Sequence, residues 1–319
     1  MSAPRTLRIG TRASALALWQ ARHVAALIGA QAGAPPVELV HIRTEGDVRT
    51  DVPLWSIGGR AFFTKEIDRA LLKGDVDIAV HSLKDLSTVL EQGIALAAAL
   101  TREDPRDALV SRDGASLSEL PPGARIGTSS LRRRAFLARA RPDVTQHELR
   151  GNVPTRVERL LKGDYDAIVL AAAGLHRLQL EHHISERLSS ETFPPAVSQG
   201  VIGICARTDD PYALSWLAAL DDPAARLACT AERALLRRLE GGCQVPLGAL
   251  AVSAGDSLQM HAAVCALDGS TMLSVQGTTA ATVENATSLG QRLADELLSK
   301  GAAALIAHER NLRGEAEAP

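Results

Sequence analysis

Three arginines stand directly behind a run of small and hydroxyl residues in Gly127-Thr128-Ser129-Ser130-Leu131-Arg132-Arg133-Arg134. Between a strand and a helix, such a turn leaves backbone N–H groups at the positive end of the helix dipole. Arginines in the first helical turn add charge-assisted bonds to a carboxylate or phosphate. Taken alone, the segment equally suits a Ser/Thr helix cap followed by a solvated basic face. A matching turn, Gly10-Thr11-Arg12-Ala13-Ser14, and a third basic segment, Arg150-Gly151-Asn152-Val153-Pro154-Thr155-Arg156, favour a shared anion-binding cleft. Open α/β sheets bind ligands at the carboxyl ends of their strands, where all three segments are expected.

Two further groups could do chemistry. His81-Ser82-Leu83-Lys84-Asp85 sets a cation beside a carboxylate at a strand end, an arrangement suited to acid–base work or charge stabilisation. The corresponding place in the second half, Ala171-Ala172-Ala173-Gly174, carries no charge, so the pair is not a requirement of the fold. Cys243 follows two glycines and precedes Gln244-Val245-Pro246, a turn that presents a thiol instead of burying it. Cys205, Cys229 and Cys265 sit among apolar neighbours and read as small hydrophobes. His182-His183 reads as a solvated helix end, and no metal site is expected.

The elements that must hold these residues alternate. Leu7–Gly10, Val37–Ile42 and Asp77–His81 read as strands, and Ser14–Ala30 as a helix with Leu16, Trp19, His23 and Leu27 near one face. A polar stretch from Thr44 to Arg60 precedes a short helix around Thr64–Leu72. The grammar then recurs. Arg8-Ile9-Gly10-Thr11 returns as Arg125-Ile126-Gly127-Thr128, and Lys73-Gly74-Asp75-Val76-Asp77 as Lys162-Gly163-Asp164-Tyr165-Asp166. Two coincidences in one order imply two α/β lobes of similar topology, with Arg102-Glu103-Asp104-Pro105-Arg106-Asp107 as the hinge between them. A strand is expected over Val144–Leu149, ahead of Arg150. After Pro211 the pattern changes. A helix over Pro223–Leu239, strands over Leu247–Val252, Leu258–Cys265 and Met272–Val275, and helices over Val283–Lys300 and Ala302–Arg310 make a small α+β domain.

A chain of 319 residues is longer than one core usually serves. Its formal charge of −2 argues against a non-specific nucleic-acid binder, although the basic residues are 30 Arg and only 5 Lys. Coding bias accounts for that surplus as well as a polyanion site does, on composition alone. The N-terminus shows no apolar secretion segment, no window is apolar enough to span a membrane, and the four cysteines form no C-x-x-C pair. A reduced, cytoplasmic protein is expected.

From Glu232-Arg233-Ala234-Leu235-Leu236-Arg237-Arg238-Leu239 through Glu240-Gly241-Gly242-Cys243-Gln244-Val245-Pro246, the chain resembles the cofactor-attachment signature of the porphobilinogen deaminase family. Asp77–Asp85, Arg102–Asp107, Gly127–Arg133 and Leu149–Val153 are similar to family segments in the same order, so the resemblance covers nearly the whole chain. It implies an α/β protein of three domains: two similar periplasmic-binding-protein-like lobes with a cleft between them, plus a small C-terminal α+β domain. The implied boundaries are 1–102 with 200–218, then 103–199, then 219–319. It implies a dipyrromethane cofactor joined by a thioether to Cys243, and four porphobilinogen molecules joined head to tail, with loss of ammonia, into hydroxymethylbilane. Asp85 and Lys84 are the implied catalytic residues. Implied cofactor contacts are Cys243, Ser14, Lys84, Asp85, Thr128, Ser129, Ser130, Arg132, Arg133 and Arg156. Implied substrate contacts are Arg12, Gln20, Phe63, Arg150, Arg156, Arg177 and Gln199. A monomer that binds neither nucleic acid nor membrane follows from the same resemblance. Departures occur at Arg60-Ala61, where a Gly-Gly-Lys-Gly run is common, and at Pro154, Leu86-Ser87 and Ser198. None of them touches Asp85 or Cys243.

Overall fold

The computed structural model describes residues 5–44, 64–239 and 245–312. Arg60, Ala61, Phe63 and Cys243 lie outside them. Described strands are β1 (Leu7–Thr11), β2 (Val37–His41), β3 (Ile78–Ser82), β4 (Ile94–Ala99), β5 (Asp107–Ser111), β6 (Arg125–Gly127), β7 (Thr145–His147), β8 (Ala167–Ala171), β9 (Glu186–Arg187), β10 (Ile202–Arg207), β11 (Leu247–Ala254), β12 (Ser257–Cys265) and β13 (Met272–Ala280). Described helices are α1 (Ala15–Gly29), α2 (Lys65–Lys73), α3 (Leu131–Ala140), α4 (Val153–Leu161), α5 (Ala172–Arg177), α6 (Pro211–Ala218), α7 (Pro223–Arg238), α8 (Val283–Ser299) and α9 (Ala302–Leu312).

Two five-stranded sheets share one topology. The first runs β2-β1-β3-β10-β4 and the second β7-β6-β8-β5-β9. In each, four strands run in one direction, while the fourth in order (β10 or β5) is antiparallel to both its neighbours. The fourth position is filled by exchange: β5 is where the chain first enters the second lobe, and β10 is where it returns to the first. Two segments, after β4 and before β10, therefore cross between the lobes, and any relative motion must bend both. A third sheet, β11-β12-β13, is an antiparallel meander whose buried face packs on α7 and α8.

The repeated motifs scaffold each other. The backbone N–H of Arg8 donates to Asp77 Oδ2 at 2.9 Å, and that of Arg125 to Asp166 Oδ2 at 2.8 Å. Their guanidinium groups reach Gly74 O at 2.7 Å and Gly163 O at 3.0 Å. Both glycines lie at positive φ, +78° and +85°, a backbone that favours residues without a Cβ. A Cβ on Gly10 would meet Val76, and one on Gly127 would meet Tyr165, the equivalent residue of the second copy. Arg-Ile-Gly-Thr and Lys-Gly-Asp-x-Asp are thus two halves of one clamp that seats each lobe's central parallel strands.

Several expectations are corrected. The core face of α1 is Gln20, Ala21, Val24 and Ile28, with Trp19 and Leu27 only partly buried beside it. Trp19 stacks on His23 with ring centroids 5.0 Å apart, and Arg177 from the other lobe lies over Trp19, so Trp19 meets the lobe junction. The strand expected over Val144–Leu149 shortens to Thr145–His147. The charged hinge ends inside a strand, because Asp107 is the fully buried first residue of β5.

Candidate active site

Lys84 and Asp85 sit in a 3-10 turn (Leu83–Asp85) that leaves the carboxyl end of β3, where the second lobe instead begins α5. The turn is anchored by fully buried Leu83, whose N–H donates to Val201 O at 2.9 Å. This leaves Asp85 exposed and Lys84 half-buried. Lys84 Nζ donates to Gln199 Oε1 at 3.2 Å. Burial pushes the Lys84 ammonium down to about 8, Asp85 and Asp107 resist that fall, and Arg133 and Arg132 add to it. Lys84 therefore lies within electrostatic reach of the second lobe, and the structure brings the two lobes' charged residues to one place.

On that second lobe, Ser130 caps α3, accepting from Arg133 N at 3.4 Å, as Ser14 caps α1 from Ala17 N at 3.4 Å. Thr128 Oγ1 accepts from Ser130 N at 3.2 Å, and buried Ser129 donates to Leu149 O. These hydroxyls fix the turn's backbone. Arg132 and Arg133 are buried on Asp107: Arg132 Nη2 to Oδ2 at 2.6 Å, and Arg133 Nη2 to Oδ1 at 2.7 Å. Arg132 also reaches Pro194 O at 2.7 Å, and Arg133 reaches Val169 O at 2.9 Å. Burial pushes the Asp107 carboxyl up, but the two arginines and the Gln199 amide more than reverse this and hold it near about 2. Asp107 is a residue that sequence reasoning missed. Its signal was present, as the carboxylate opening the apolar run Asp107-Ala108-Leu109-Val110.

Arg156 donates to Gly151 O at 2.7 Å from α4, whose N-cap is Asn152. Burial, Arg133 and Arg150 lower its pKa to about 10, against Glu148 and Asp85. The field of Asp85 in the first lobe thus reaches Arg156 of the second. Gln20 is buried and donates to Ser82 Oγ at 2.8 Å, just before the Lys84 turn. Arg12, half-buried, depresses neighbouring His81, whose pKa burial already lowers, to about 4 in all. Arg177 is buried at the second crossing segment, where Nη2 donates to Gly200 O at 2.6 Å.

Around the Lys84 turn, Lys84, Arg132, Arg133, Arg150 and Arg156 outnumber the carboxylates Asp85, Asp107 and Glu148 that their titrations sense. A site with this surplus of buried or half-buried cations suits a ligand with several carboxylates, because each anion it supplies relieves repulsion among the arginines. The donor set therefore fits a pyrrole cofactor bearing acidic side chains.

Comparison with known proteins gives the same direction. Residues 7–215 match the family model for the porphobilinogen deaminase dipyromethane cofactor binding domain, and residues 226–299 the model for its C-terminal domain. The porphobilinogen deaminase of Roseiflexus sp. (strain RS-1) is 51% identical over 303 residues, which are 95% of this chain and 99% of that protein. That of Pelobacter propionicus is 47% identical over 303 residues, 95% of this chain and 97% of that protein. That of Geobacter metallireducens is 46% identical over 319 residues, 99% of each. The exchanged strands, the clamped repeat, the Lys84–Asp85 turn and these likenesses agree, and the chain belongs to the porphobilinogen deaminase family.

Proposed function

We propose that the protein joins four porphobilinogen molecules head to tail, releasing ammonia at each step, and frees hydroxymethylbilane by hydrolysis. The observation that carries this reading is the Lys84–Asp85 turn facing a surplus of second-lobe arginines. A dipyrromethane held by a thioether to Cys243 supplies, when bound, the pyrrole carbon on which the chain is extended. Arg132, Arg133 and Arg156, with the α3 N-terminus shaped by Thr128, Ser129 and Ser130, hold its carboxylates, as does the α1 turn at Ser14. Arg12, Gln20, Arg150, Arg177 and Phe63 bind the incoming porphobilinogen. Asp85, the exposed carboxylate of the cluster, stabilises positive charge on pyrrole nitrogen and manages the protons, one going to each departing amine and one coming off the pyrrole carbon that forms the new bond. Lys84, its neighbour in the turn, balances its charge.

The same reading divides the chain into domains at 1–102 with 200–218, 103–199 and 219–319, working as a cytoplasmic monomer without nucleic acid or membrane. Among the described residues, no helix is long and apolar enough to cross a membrane.

Intact mass tests the proposal. The purified chain should exceed its sequence mass by two linked pyrrole units, and Cys243→Ala should remove the excess. Active protein at the bare sequence mass would sink the reading. Asp85→Asn should keep the fold and the mass excess while losing most turnover; near-normal rates would remove Asp85 from the chemistry.

A further inference from the structure

Gln199 stands in the second crossing segment, between two residues at positive φ, Ser198 (+61°) and Gly200 (+92°). Its backbone is pinned on both sides. Arg102 Nε donates to Gln199 O at 2.9 Å, and Gly200 O accepts from Glu103 N at 3.2 Å and from Arg177. The side chain is 1% exposed, and both ends of its amide are engaged. Oε1 accepts from Lys84 of the first lobe at 3.2 Å. Nε2 donates to Pro105 O at 2.8 Å and to Asp107 Oδ1 at 3.0 Å, both at the first crossing segment. A flipped amide would set N–H against the Lys84 ammonium and oxygen against the Asp107 carboxylate, so chemistry allows one orientation only.

No N–H of this amide is left for a substrate carboxylate. We propose that Gln199 is a positioning residue for the reaction: its amide ties Lys84 to Asp107, fixing the Lys84–Asp85 turn against the Arg132–Arg133 pair where the two crossing segments meet. It acts through Lys84. Without the carbonyl, a desolvated ammonium loses its neutral acceptor and the turn loses its reference to the second lobe. Bending at the crossings carries Lys84 along with Pro105 and Asp107 only while this amide is intact, because those two residues share its other end.

The inference rests on the proposed reading of the cleft, and the two fail separately. The wild-type mass excess tests that reading, whereas variant kinetics test this one. Gln199→Leu should keep the mass excess, lower kcat at least about tenfold and leave KM within about twofold, the pattern of an interaction that serves the transition state. In a Lys84→Met background the same change should cost less than about twofold, since the residue it acts through is gone. A raised KM with kcat intact would make Gln199 a substrate ligand and overturn the proposal. So would a loss that multiplies fully in the Lys84→Met background. Should Gln199→Leu fail to fold, Gln199→Met, of similar length and without the amide, is judged by the same two criteria. Loss of the mass excess in both would overturn the proposal too, because the residue would then serve cofactor loading.

Discussion

Glu232 of α7 makes the sharpest stability prediction. Its carboxylate is fully buried and meets Arg102, itself only 12% exposed, at 2.6 Å. It also accepts from Ser198 N at 2.6 Å and Ala251 N at 2.8 Å. One side chain therefore ties the first crossing segment, the second crossing segment and β11 of the third sheet. Glu232→Ala strands a buried guanidinium and two backbone donors, and removing one partner of a buried pair costs about 3–5 kcal/mol. Each kcal/mol lowers the melting temperature by about 2–4 °C for units of this size, so calorimetry should show a fall of about 6–20 °C. The double variant Arg102→Met/Glu232→Ala removes the stranded charge and should recover at least about 1 kcal/mol over Glu232→Ala alone. A fall of less than about 3 °C in the single variant, or a double variant worse than the single, would refute the argument.

Two further outcomes follow from the same geometry. The Lys84 ammonium, lowered to about 8, is intact below that pH and lost above it, with Asp85 and Asp107 opposing the loss and Arg133 and Arg132 promoting it. Turnover should thus decline on an alkaline limb near pH 8, and Lys84→Arg, always charged, should abolish that limb; a limb unchanged in Lys84→Arg assigns it to another group. Gly200→Ala places a Cβ 2.3 Å from Glu103 O at a positive φ, so the crossing segments must separate. Thermal melts should fall by several degrees and kcat should drop; wild-type values for both would show that the segments yield freely.

Much of the fold was legible because its signals are local. Ser14 and Ser130 cap their helices, and the two Lys-Gly-Asp-x-Asp copies end theirs at left-handed glycines, Gly74 and Gly163. The repeat revealed two lobes but suggested more chemistry than it holds, since its arginines and glycines clamp strands to each other. The return of β10 to the first lobe came only with the family resemblance, whose boundaries place 200–218 there; periodicity alone does not show it, because β5 and β10 pair with strands far along the chain. Periodicity puts Trp19 and His23 on one face of α1 but does not show that Arg177 of the other lobe covers Trp19. Lys84 and Asp85 stood out as charges at a strand end, whereas Asp107, Gln199 and Glu232 act by meeting residues about 25 to 130 positions away.

The arginine surplus divides once each guanidinium is followed to its partner. Arg8 and Arg125 hold strand starts, and Arg102 holds the crossing segments. Arg207 bridges Leu71 O and Val76 O. None of these is offered to a ligand. Arg132 and Arg133 are intermediate, since Asp107 already supplies one carboxylate to both. That internal carboxylate neutralises part of the cluster from within the fold. Removing Asp107 would leave Arg132 and Arg133 buried without their shared carboxylate. Its burial at the start of β5 therefore belongs to the binding site as much as to the sheet.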